Sequence, residues 1–157
     1  DEMLKINLLP DKISIETPNI SLVAKLLSGD YPDVERIIPR NTESIISLHR
    51  EELMSLLKQV SLFTNDKSHS VHFTFKEGEL LLSANSSEIG EGKVSMPVNY
   101  SGEEIEIAFN PFFFHDILRH CKDETVSFAL TNPHNPGLIT DSSDAEYVIM
   151  PMRLNSV

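Results

Sequence analysis

From about Ser44 the chain reads strand, helix, three strands, and from about Glu104 it reads strand, helix, three strands again. That doubled order limits the fold more than any single motif does. Each βαβββ unit supplies one amphipathic helix and four half-buried strands. Two such units make a sheet-rich α+β domain whose two helices can share one face. The repeat is one of architecture, not of residues, and a chance ordering of short elements in another α+β domain would read alike.

The first helix follows His49 and extends to about Phe63, with Leu53, Leu56, Leu57 and Val60 at spacings of three and four. Glu51 and Glu52 sit in its first turn, where the helix dipole favours negative charge. The second helix has stronger punctuation: Asn110 as N-cap and Pro111 at the first helical position. Phe113, Phe114, Ile117, Leu118 and Cys121 are expected as one apolar stripe, with Arg119, His120 and Lys122 gathered at the C-terminal end. Strands are expected near 71–76, 79–84 and 93–98, then at 105–109, 125–131, 137–140 and 147–152. The first 33 residues stand outside this scheme. They offer Leu4–Leu8, Lys12–Glu16 and Ile20–Leu27 as three strands with no helix to cover them. They are expected to be the end of another domain, residues 1–33, joined through Ser28–Asp33 to a domain of residues 34–157.

Chemistry finds little support. The six histidines never fall at HExxH or HxH spacing, and CxxC, P-loop, GxGxxG and GxSxG motifs are missing. Acidic pairs such as Glu51-Glu52, Glu103-Glu104 and Asp123-Glu124 flank the expected elements and read as solvated charge. Cys121 reads as a buried structural residue. The expectation is a non-enzyme with no cofactor and no metal. A net charge of −11 argues against broad electrostatic wrapping of nucleic acid, though not against a local basic strip. One cysteine, no apolar run near the ~20 residues of a membrane span and no secretory leader point to a cytoplasmic protein with no membrane partner. The chain starts Asp1-Glu2-Met3, as a piece of a longer protein would.

Two surfaces invite a partner. On the second helix His115, Arg119 and Lys122 recur at i, i+4 and i+7, while Lys58 and Arg50 lie on the first helix. They form either a thin basic strip for phosphate contacts or the ordinary wet face of two helices. The tail, Tyr147-Val148-Ile149-Met150-Pro151-Met152, is apolar, and its proline stops ladder pairing. It is either a last strand completing the core or one wall of an adaptable groove for partner peptides.

Three stretches carry a resemblance. Tyr31–Pro39 (YPDVERIIP) resembles the segment joining the second and third domains of bacterial DNA polymerase sliding clamps, the beta subunits. Asn99-Tyr100-Ser101-Gly102 with Glu106–Asn110 resembles the third-domain hairpin and the start of its second helix. Val148–Leu154 (VIMPMRL) resembles the C-terminal end. The likeness is collinear from about Leu4 to Leu154. It implies a DNA-clamp fold, with residues 1–33 as terminal strands of the middle domain and 34–157 as the third domain. It implies a processivity factor: a head-to-tail homodimeric ring around duplex DNA, binding polymerase, clamp loader and repair proteins through short linear motifs. By that resemblance Pro32, Arg36, Ile37, Val148, Met150, Pro151, Met152, Arg153 and Leu154 line the peptide groove. His134 and Pro136 hold groove positions that are usually small or aliphatic. Arg50, Lys58, Arg119 and Lys122 become DNA-facing, and Leu62 and Phe63 match the ring interface. The alternative is a peptide-binding adaptor unrelated to replication. In departures from the family, His49 stands where a better helix cap is common, a weakness of about 1 kcal/mol, and Asn155-Ser156-Val157 extend beyond Leu154.

Overall fold

The structure is a computed structural model that describes residues 3–40, 44–64 and 69–153. It divides into two compact units, Asp1–Asp33 and Val34–Val157. The smaller unit is a three-stranded antiparallel sheet of β1 (Lys5–Leu8), β2 (Lys12–Glu16) and β3 (Ser21–Lys25). Its register pairs Ile6 with Ile15, Leu8 with Ile13 and Ile15 with Leu22. Because side chains alternate along strands, Ile6, Leu8, Ile13, Ile15, Leu22 and Ala24 share one apolar face. None of these residues is buried.

The larger unit opens with a single helical turn, α1 (Val34–Ile37), which the sequence reading missed. It continues as β4 (Ser44–His49), α2 (Arg50–Val60) with a 3-10 turn at Ser61–Phe63, β5 (Val71–Lys76), β6 (Glu79–Ser86) and β7 (Gly90–Pro97). The second round is β8 (Ile105–Phe109), α3 (Pro111–His120), β9 (Thr125–Leu130), β10 (Gly137–Thr140) and β11 (Glu146–Ile149). The expected doubled order is therefore present.

What the order alone did not reveal is an exchange of strands. One sheet runs β11-β10-β9-β4 and the other β7-β6-β5-β8. Each antiparallel meander thus takes its fourth strand from the other βαβββ unit. The helices are the crossovers: α2 carries the chain from the first sheet to the second, and α3 carries it back. Neither unit can complete its sheet alone.

The core lies between these sheets and the helices. Leu53, Leu57 and Val60 of α2 and Phe114 and Leu118 of α3 are fully buried there. Phe114 joins the layers, with its ring 4.9 Å from Phe73, 5.5 Å from Phe109 and 5.3 Å from Phe128. Phe73 and Phe109 belong to one sheet and Phe128 to the other. Gly137 lies under the Phe128 ring, where an added Cβ would fall 2.5 Å from a ring carbon. Glycine is required there by close packing, not by backbone conformation.

Helix starts are set by side chains. Asn110 Oδ1 accepts from the Phe112 N–H at 2.9 Å, the expected N-cap. His49 also caps: its Nδ1 accepts from the Glu52 N–H at 3.4 Å, while Nε2 lies 3.1 Å from a Glu124 carboxylate oxygen. A neutral ring protonated on Nε2 satisfies both contacts, so this start is better supported than the residue type suggested. The expected apolar stripe on α3 is corrected in one respect. Phe114, Leu118 and Cys121 are buried and Ile117, half-buried, packs against the core, but Phe113 is 66% exposed. In a helix successive residues point about 100° apart, so Phe112, Phe113 and Phe114 cannot all face one core.

Candidate functional site

The tail settles into two roles that alternate along the strand. β11 pairs antiparallel with β10, with Ile149 opposite Gly137 and Val148 opposite Leu138. Ile149 is buried and Tyr147 packs against the core, while Val148 is half-buried and Met150 is 59% exposed. One face of the strand completes the core and the other faces outward. Beyond the strand Pro151 offers no N–H, and the Met152 N–H donates to the Ala108 carbonyl at 2.7 Å. The tail thereby bridges from the edge of one sheet to the edge strand of the other.

A groove of about 600 Å³ runs along this outward face. Val148, Met150, Pro151 and Met152 form one wall, and Phe113 and Ile117 of α3 form the other, with Asn110 and Asp116 as its polar members. Volume and lining suit an extended apolar peptide segment. Phe113, expected on the apolar stripe, faces the groove instead, while Ile117 serves both, lining the groove and packing against the core. The signal for Phe113 was the run of three phenylalanines, of which only Phe114 is buried.

The other groove candidates occupy different ground. Arg36 and Ile37 lie on α1, whose Glu35 faces Arg40; Arg40 in turn reaches Glu146 at the start of β11 with a 2.9 Å ion pair. His134 and Pro136 lie in the β9–β10 loop, where the Asn132 carboxamide oxygen accepts from the His134 and Asn135 N–H groups. Neither set lines the groove described above, and Arg153 is exposed beside it. Pro32 lies in the smaller unit. Leu154 lies outside the described residues.

The helical face is less uniform than its sequence suggested. α2 and α3 lie side by side, and a cleft of about 300 Å³ between them is lined by Leu57, Lys58, Ser61, Pro111, Phe112 and His115. Lys58 and Arg119 are exposed and form no ion pair with a described residue. Lys122 lies beyond the end of α3, because the chain turns extended at Cys121. Helical i+7 spacing therefore does not carry it onto the same face. Its backbone N–H donates to Asp141 at 2.6 Å. Hydrogen bonds from Ser143 and from the Lys122 N–H hold the Asp141 carboxyl down at about 2.

Arg50 is committed to the fold. Its guanidinium donates to the carbonyls of Cys121 (3.1 Å) and Leu118 (3.5 Å) at the end of α3 and pairs with Glu51 at 2.6 Å. A cation at a helix C-terminus is favoured by the dipole. Because Arg50 opens α2, it clamps the beginning of one helix to the end of the other. Arg50→Ala is expected to lower unfolding free energy by about 2–3 kcal/mol, since charged hydrogen bonds to buried carbonyls are lost. Urea denaturation of the variant checks this.

At the far end of α2, Leu62 is exposed and Phe63 covers Gly92 of β7. Among the described residues no group of three His, Cys, Asp or Glu side chains is placed to hold a metal ion, and no helix is long and apolar enough to cross a membrane.

Comparison with known proteins agrees with this architecture. Residues 35–153 match the family described as DNA polymerase III beta subunit, C-terminal domain. The chain is 59% identical over 145 residues to the beta sliding clamp of Chlamydia pneumoniae, covering 92% of this chain and 40% of that one. It is 33% identical over 156 residues to the beta sliding clamp of Haemophilus influenzae, covering 98% of this chain and 43% of that one. Among solved structures, the DNA polymerase III subunit beta of Pseudomonas aeruginosa superposes with a TM-score of 0.78 at 30% identity, over 96% of this chain and 42% of that one. The chain thus spans about two fifths of the length of these relatives. A fold of two strand-exchanged βαβββ units and a family match over most of the chain place it plainly: it belongs to the DNA polymerase III beta subunit family, the sliding clamps, through that family's C-terminal domain.

Proposed function

We propose that this chain is the C-terminal part of a replication processivity clamp, and that the groove between α3 and the tail is where partner proteins dock. The observation that carries the docking role is the groove itself. Its tail wall is an accessible run of Val148, Met150, Pro151 and Met152, and the facing wall is Phe113 and Ile117. Polymerase, clamp loader and repair proteins are the expected partners, each offering a short linear motif. Arg36, Ile37, His134, Pro136 and Arg153 are read, by the family resemblance, as further contacts for such motifs outside the groove described above. It performs no chemistry; its work is tethering.

Residues 1–33 are read as the last strands of the preceding clamp domain. The apolar face of their sheet, unburied here, would be covered by the rest of that domain. Leu62 and Phe63 are read as part of a head-to-tail dimer contact in a cytoplasmic ring. Lys58 and Arg119 face duplex DNA in that ring, with Lys122 nearby at the end of α3. Arg50 holds the two helices in place. A sparse set of cations on a chain of net charge −11 suits sliding, since contacts must be weak and blind to sequence.

The test uses the full-length protein. A clamp loaded on circular duplex DNA should stay bound and should fall off once the circle is cut. Equal loss from both forms would contradict encirclement and favour an adaptor unrelated to replication. Replacing both Lys58 and Arg119 by glutamate should weaken duplex binding uniformly across sequences. It should also reduce the slope of log K against log salt by roughly 2, about one unit per phosphate contact. A salt titration of duplex binding checks this.

A further inference from the structure

The groove holds two of the chain's five methionines, and the two differ in exposure. Met96 is 3% exposed in the core, and Met54 is half-buried against it. Met152 is half-buried and held by its N–H to Ala108. Met150 is 59% exposed and lies in the middle of the tail wall. Only Met3, in the smaller unit, is more open, at 85%. An accessible thioether in an apolar binding surface is both the easiest methionine to oxidise and the one whose oxidation matters most.

We propose that Met150 is a reversible oxidation site that switches the groove off. This inference rests on the docking reading above and adds its regulation. A peroxide supplies the oxidant. The Met150 sulfur attacks the terminal peroxide oxygen, the O–O bond breaks, and an S–O bond forms. Sulfur loses two electrons, and hydrogen peroxide is reduced to water. The product replaces a soft apolar contact with a strong acceptor dipole. The sulfoxide oxygen calls for hydrogen-bond donors that an apolar peptide does not bring; among the described lining side chains only the Asn110 carboxamide NH2 can donate, so a peptide covering the sulfoxide strips it of hydration with little in return. A thiol-dependent methionine sulfoxide reductase returns the thioether, so the switch is reversible.

The experiment needs no variant. The chain is first passed over an immobilised synthetic peptide rich in leucine and phenylalanine, to establish that the untreated groove binds it. A second portion is then oxidised partially with hydrogen peroxide and passed over the same peptide. Bound and unbound fractions are digested, and sulfoxide is measured at each methionine by mass spectrometry. Met150 and Met3 should oxidise at rates within a few-fold of each other and at least tenfold faster than Met96. Met150 sulfoxide should be depleted at least fivefold from the bound fraction, while Met3 sulfoxide partitions evenly. Reductase treatment should return the excluded fraction to binding. Even partitioning of Met150 sulfoxide, or protection of Met150 to the level of Met96, would overturn the inference and leave the docking reading standing. Failure of the untreated chain to bind would remove the docking reading, and this inference with it.

Discussion

Met150→Asp is expected to abolish docking of an apolar peptide without unfolding the chain. The side chain is 59% exposed on the outward face of the tail, so a carboxylate there meets water when the groove is empty. Once a peptide covers it, the same carboxylate must lose its hydration against Phe113, Ile117 and the peptide's apolar side chains. An interface anchor at the centre of such a patch contributes about 2 kcal/mol or more, roughly thirtyfold in affinity. Burying an unpaired charge adds to that loss. Asp116, already in the lining, places a second negative charge nearby and offers no compensation. Fluorescence anisotropy with a labelled leucine- and phenylalanine-rich peptide measures the affinity. Thermal unfolding of the same variant should shift by only a few degrees. A large drop in melting temperature would mean that Met150 supports the core instead.

Phe114→Ala has the opposite signature. It should cost about 3–5 kcal/mol, the usual range for deleting a buried aromatic ring. The ring contacts Phe73 and Phe109 in one sheet and Phe128 in the other, so its loss opens a cavity at the junction of three layers. For a domain of ordinary stability, about 5–15 kcal/mol, that is a large share of the total. Its neighbours calibrate the result. Phe112, 56% exposed on the cleft between the helices, should cost within about 0.5 kcal/mol when replaced by alanine. Phe113→Ala should spare stability and weaken peptide binding. Three consecutive phenylalanines thus separate into cleft, groove and core, and urea denaturation alongside peptide titration distinguishes all three.

This separation also marks where the sequence stopped being informative. Alternation in Val71, Phe73 and Phe75 and the Asn110-Pro111 punctuation located their elements to within a residue or two, because those signals are local. β6 and β7 reach closer to their turn than expected, to Ser86 and from Gly90, since cross-strand pairing extends them through residues of weak strand preference. The one-turn helix at Val34–Ile37 is too short to show a period. Strand exchange between the two units was hidden because sheet membership depends on where a crossover lands, not on the strand's own residues.

The site was legible to a similar degree. Val148, Met150, Pro151 and Met152, which the tail offers as either a core strand or a groove wall, line the cavity, whereas Phe113 on its facing wall is expected on the apolar stripe. Hydrophobic periodicity gives one apolar direction, and α3 has two: a core side at Phe114 and Leu118 and a groove side at Phe113, with Ile117 at the boundary between them. Arg50 illustrates the converse. The family resemblance makes it a DNA-facing cation, whereas the carbonyls of Leu118 and Cys121, distant in sequence, claim its guanidinium.

The most direct test of the docking role is a methyl-labelled methionine spectrum of the chain, titrated with the same peptide. Five methionines report from five places: the smaller unit, α2, the core strand β7 and two positions in the tail. The predicted result is a saturable shift of the Met150 and Met152 methyls, with Met3, Met54 and Met96 unmoved. Shifts confined to Met3 or Met54, or no shift at any concentration of peptide, would contradict it.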